Sequence, residues 1–166
     1  MRQKHEEERF KPYILTRLTD DDPHIKKEAI GGREVITVQQ LKKDIFENIE
    51  VLFNSRSHLS LKELKNDPVL SSSVLGYGIS DFCGKVSSNT SGEALRLHIL
   101  EQLRNFEPRL APDTIKVELL RDSDDRYSLM EFVITAYISV GAVSEEVLFK
   151  SKLDPESGYS EISWEG

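Results

Sequence analysis

Residues 130–140, MEFVITAYISV, place an apolar side chain at every second position. Met130, Phe132, Ile134, Ala136, Ile138 and Val140 fill one face, while Glu131, Thr135, Tyr137 and Ser139 mark the other. A period of two sustained over this length predicts a β-strand with one buried face. At about 3.3 Å per residue, the run from Tyr127 to Val140 would reach on the order of 45 Å, whereas a compact chain of this size has a radius of gyration of about 15 Å. Such a strand must bend, bulge or project beyond the body. Gly141 ends it.

The segments before this strand have a different period. Thr37 and Gln40 form a capping box, in which each residue satisfies the other's open amide. Val38, Leu41, Ile45, Ile49 and Leu52 then recur at helical spacing, with Phe46 and Phe53 widening the stripe, and the pattern fades at Asn54-Ser55-Arg56. A less regular region follows, where Pro68 can open a short helical turn and Gly76 and Gly78 give backbone freedom around Tyr77, itself read as core. Thr90 and Glu93 suggest a second capping box, opening a helix with Leu95, Ile99, Leu100, Leu103 and Phe106 on its apolar stripe. His98 reads as a helix-surface residue. Pro108 disfavours helical geometry at Glu107, so this helix closes at about Phe106.

Beyond Pro108 the period is two throughout. Ile115, Val117 and Leu119 alternate with charged residues, Asp122 to Arg126 read as a polar turn, and the long strand follows. Val147, Phe149, Ser151 and Leu153 mark another strand, and after the turn Asp154-Pro155-Glu156-Ser157-Gly158 a last one holds Ile162 and Trp164. Lys150 and Lys152 have the look of edge protection or of ordinary solvated lysines. Helices first and strands afterwards, joined by short turns, predict an α+β fold with amphipathic helices on one face of a small antiparallel sheet. A sheet of three or four strands leaves edges open to another chain. Residues 1–33 read as an arm with a flexible joint at Gly31-Gly32, in which Tyr13, Ile14, Leu15 and Leu18 are positioned to dock, and residues 34–166 as the folded domain.

Composition removes several classes of function. The chain has 166 residues and a net charge of -7, with no Lys/Arg cluster longer than a pair, so nucleic acid is not the expected partner. No apolar run suits a membrane span, and MRQKHEEER lacks the apolar stretch of a signal peptide, which predicts a cytoplasmic protein. Cys83 stands alone, so neither a disulfide nor a Cys-based zinc site can form within the chain. The four histidines share no ligand spacing, and neither a nucleophile elbow nor a phosphate-cradling loop is present, so no metal, cofactor or catalytic residue is expected. A glycosidase acid pair cannot be read from chain spacing, because its separation belongs to the fold. Glu107 is the acid to test, although a nearby arginine favours the ionised form, the wrong one for a general acid.

The stretch FEPRL, residues 106–110, then stands out. A glutamate beside a helix C-terminus gains nothing from the helix dipole, so Glu107 is not there to serve the helix. Pro108 pushes Glu107 toward an extended geometry, in which side chains two apart point the same way. Glu107 and Arg109 therefore share a face. They either satisfy one another, or the rigid turn holds an acceptor and a forked donor ready for a partner at little ordering cost. Spacing does not choose between these.

FEPRL after an amphipathic helix resembles the Glu-Pro-Arg motif of the phage tail-lysozyme-like baseplate wedge family. LTRLTDDDP (15–23), DIFENIEVLFNSR (44–56), SSVLGYGISDFCG (72–84) and LDPESGYSEI (153–162) are similar to the family's type VI secretion branch, the TssE-type subunits. The resemblance implies a structural, non-enzymatic subunit of a contractile injection machine, cytoplasmic and assembled into a baseplate near the inner membrane. It implies that Glu107, Pro108 and Arg109 dock on a core bundle of TssF- and TssG-type subunits. It also implies a fold like that of the contractile sheath, whose sheet edge accepts strands of TssB- and TssC-type sheath proteins and so starts sheath assembly. The alternatives are a peptidoglycan glycosidase and a free-standing adaptor that binds peptides by strand addition.

Overall fold

A four-stranded antiparallel sheet in the order β3-β4-β5-β6 carries the second half of the chain: β3 is Lys116–Leu120, β4 Met130–Val140, β5 Val143–Leu153 and β6 Ser160–Trp164. The structure is a computed structural model that describes Phe10 and residues 36–80, 89–120, 129–141, 143–154 and 157–164. The chain divides into two units, Met1–Glu47 and Asn48–Gly166.

In the first unit, Phe10 and Ile36 exchange backbone hydrogen bonds of 2.9 and 2.6 Å. Helix α1, Val38–Asn54, opens there on the expected capping box. The Thr37 amide donates to Gln40 Oε1 at 2.9 Å, and the Gln40 amide donates to Thr37 Oγ1 at 3.3 Å. Leu41 and Ile45 are buried in this unit, and Ile49, Leu52 and Phe53 in the second. Tyr13, Ile14, Leu15 and Leu18 of the expected arm lie outside the described residues, as does the turn at 122–126.

The irregular region is held by short capped pieces. Strand β1, Arg56–Ser57, pairs parallel with β2, Ile79–Ser80. Between them, Ser60 and Glu63 form a capping box that opens α2, Leu61–Asn66, and Asp67 accepts two amides to open α3, Pro68–Ser71, with its proline in the first turn. Pro68 marks the second of these starts in the sequence, and Ser60-x-x-Glu63 is the local signature of the first.

Helix α4, Asn89–Phe106, begins one residue ahead of Thr90, whose side chain lies outside the described set. It packs against β3, and Arg96 Nη1 donates to the Val117 carbonyl at 3.2 Å. One face of the sheet is apolar and covered: Val117, Phe132, Ile134, Ala136, Ile138, Val147, Phe149, Leu153 and Ile162 are all buried. This is the α+β arrangement that the change of period predicts.

The long strand neither bulges nor stands alone. β4 and β5 pair in one unbroken register from Met130↔Leu153 to Val140↔Val143, turning at Gly141 with φ +62°. β3 accompanies β4 only over Glu131 to Thr135, and β6 accompanies β5 only over Phe149 to Leu153. The hairpin therefore has a four-stranded base and a tip that projects past both neighbours. Lys150 and Lys152 fall in the base, where β5 is an interior strand, so they do not guard an edge. Lys152 instead bonds Glu131 across the ladder at 3.1 Å and faces Glu161 on the other side.

Candidate partner-docking site

The last turn of α4 runs into the candidate site without a break. The Glu107 amide still donates to the Leu103 carbonyl at 3.0 Å, and the Leu110 amide donates to the Glu107 carbonyl at 3.1 Å. That second bond closes a β-turn with Pro108 at its first central position, where the ring's fixed φ suits the geometry. The turn, rather than an extended segment, brings the two charges together.

Glu107 is buried at 2% exposure, and the Arg109 side chain is 13% exposed. Arg109 Nε donates to Glu107 Oε1 at 2.6 Å, and Nη2 donates to Oε2 at 2.7 Å. This is a two-pronged, charge-assisted contact of the strong kind. The Arg109 amide adds a third bond to Oε1 at 3.3 Å. Both carboxylate oxygens thus face arginine, which leaves Glu107 without the open aspect that a proton donor to a sugar needs. Pro108 is exposed at the apex.

The turn is also fastened to the sheet, a link that sequence reading did not anticipate. Leu110, 1% exposed, forms an isolated antiparallel bridge with Ile138. The Ser139 amide donates to the Arg109 carbonyl and the Ala111 amide donates to the Tyr137 carbonyl, both at 2.8 Å. Thr114 Oγ1 accepts from the Tyr137 amide at 3.0 Å and donates to the Ala111 carbonyl at 2.7 Å. These contacts begin where β3 stops.

On the same helix, two buried polar side chains hold the glycine-rich segment. Gln102 Nε2 donates to the Gly76 carbonyl at 2.9 Å, while its Oε1 accepts from the Gly78 amide at 3.0 Å. His98 Nε2 accepts from the Ser80 amide at 3.1 Å. His98 is 2% exposed, so its expected surface position is corrected: it lies on the Leu95/Ile99 face because it serves a buried amide. Burial pushes its pKa down to about 4, the nearby Lys65 charge adding to the effect against the opposing influence of the Gly78 backbone. The signal was a pair of polar residues at i,i+4 inside an apolar stripe. Tyr77 is half-buried with its ring edge-on to Phe106 at 5.2 Å, beside the Glu107–Leu110 turn.

Residues 39–142, more than half of the chain, match the family model described as baseplate wedge protein gp25. The chain belongs to the baseplate wedge protein gp25 family. The match runs from α1 through the Glu107–Leu110 turn to the end of β4, so β5 and β6 lie beyond it. Comparison with curated proteins and with solved structures gave no match. A baseplate wedge protein is a structural component that works through contacts with other baseplate components, and its machinery is of the contractile-tail kind. No described helix is long and apolar enough to cross a membrane.

Proposed function

We propose that the chain is a non-catalytic wedge subunit of a type VI secretion baseplate that docks on a core bundle of TssF- and TssG-type subunits and starts the sheath by strand addition. The docking element is the turn, with exposed Pro108 and the outer part of Arg109 meeting the partner and buried Glu107 fixing the guanidinium. A preset, two-pronged pair lowers the ordering cost of binding.

The projecting hairpin tip is the observation that carries the strand-addition reading. Tyr137 and Ser139 turn their backbone groups away from β5, toward Ala111, Thr114 and Arg109. Antiparallel alternation then directs the backbone groups of Ser144, Glu146 and Leu148 away from β4. No described strand pairs with them on that side. The other rims are partly occupied: Arg96 takes a β3 carbonyl, and Asn54 takes both the amide and the carbonyl of Ser160 in β6. The open tip of β5 is where a TssB- or TssC-type strand would add.

Glu146→Pro tests this directly. Its amide faces away from β4, so proline there is tolerated as on an edge strand but deletes a donor that an incoming strand needs. The variant should keep its thermal midpoint and lose co-assembly with TssB/TssC-type sheath proteins. Undiminished co-assembly would overturn the reading.

A further inference from the structure

We propose that the Glu107–Arg109 pair is a strut that sets the stiffness of the projecting hairpin tip, in addition to any contact that it makes with a partner. A two-stranded hairpin alone is marginal in water, and the tip from Ala136 to Leu148 has lost β3 and β6 as neighbours. What replaces β3 beside β4 is the segment Arg109 to Thr114. Its bonds to Tyr137 and Ser139 occupy backbone groups that would otherwise continue the β3 ladder.

That segment is short and irregular, and its own position depends on the ion pair. Glu107 is anchored to α4 through Leu103, and its carboxylate receives Arg109 through both the side chain and the amide. The Arg109 carbonyl, one residue unit away from that grip, is the acceptor for Ser139. A continuous line of bonds therefore runs from α4 through Glu107 and Arg109 to the tip of β4, and across the ladder to the rim at Ser144–Leu148. Glu107 and Arg109 are positioning residues in this role. The strut stands on geometry alone, whereas its consequence for sheath assembly rests on the reading above: a limp rim would cost an incoming strand more entropy to order.

Hydrogen exchange on the full isolated chain tests the strut. Glu107→Gln and Arg109→Lys should raise exchange at the paired tip amides, residues 136–140, 143, 145 and 147, roughly tenfold more than at base amides 131–135 and 149–153, over and above any global destabilisation that tip and base share. Thr114→Val gives a milder second case, removing the acceptor for Tyr137 and the donor to the Ala111 carbonyl while leaving the ion pair intact, and should act on the tip alone. Unchanged tip exchange in all three variants, or equal acceleration of tip and base, overturns the proposal. No sheath protein is present in this measurement, so its outcome is independent of the Glu146→Pro assay.

Discussion

Glu107 and Arg109 hold one another by two parallel contacts of 2.6 and 2.7 Å across a proline, with the carboxylate almost fully withdrawn from water. An ion pair in such a place owes its stability to completeness. Each charge is tolerable only because the other is present.

Removing one partner should therefore cost far more than removing both. Arg109→Ala should lower unfolding stability by about 3–5 kcal/mol, because it leaves a buried carboxylate uncompensated. Arg109→Lys keeps the charge but loses the second prong and should fall between alanine and wild type. The double change Glu107→Leu/Arg109→Met should cost less than either Glu107→Leu or Arg109→Met alone. Urea denaturation of wild type, these two single variants and the double closes the cycle, and additive losses would mean that the pair is not coupled.

Acid should destabilise the fold through His98. Its folded pKa, about 4, lies below its ordinary value of 6.5, so the unfolded chain takes up the proton first as the pH falls. The stability that this residue contributes is present in full above pH 6.5, is lost between 6.5 and about 4, and declines no further below that. A shift of this size corresponds to about 3 kcal/mol. Denaturation midpoints measured at intervals from pH 7.5 to 4 should fall more steeply for wild type than for His98→Gln, whose amide can still accept from Ser80.

Gly78 tests the clamp from the other side. Its φ of +98° is unfavourable for other residues, and a Cβ built there would lie 2.6 Å from the Ser55 carbonyl oxygen. Gly78→Ala should cost about 2 kcal/mol or more, read as a lower thermal midpoint.

Asn54 closes α1 and also caps β6, exchanging bonds of 3.0 and 2.9 Å with the backbone of Ser160. Asn54→Ala should cost about 2 kcal/mol and raise amide exchange across 160–164 ahead of the rest of the sheet. Asn54→Asp keeps the acceptor for the Ser160 amide but sets a carboxylate oxygen against the Ser160 and Glu50 carbonyls, so it should give a loss at least as large.

What could be read from the sequence was whatever depends on period and on local chemistry. The alternation of Phe132, Ile134, Ala136 and Ile138 fixes a strand face, the Thr37/Gln40 box fixes a helix start, and Pro108 fixes a helix end, because each acts within a few residues. The adjacency of Glu107 and Arg109 was also legible, although the geometry that produces it is a proline turn and not the extended segment that the residue before Pro108 suggests. Contacts between residues distant in sequence were not. Nothing local says that Ser139 will reach Arg109, or that Lys150 and Lys152 will have β6 beside them, because strand order is a property of the whole sheet. His98 was misplaced for a similar reason: its partner, the Ser80 amide, comes from a segment with no period at all.

The uninterrupted eleven-rung register of β4 and β5 restricts how related chains can vary in length. Losing one residue from a single arm would send Phe132, Ile134 and Ala136, or their partners Phe149 and Val147, to the opposite side of the sheet. A change of length is therefore tolerable only at the turn between the arms or as matched changes in both, so the reach of the hairpin can be altered only in paired steps.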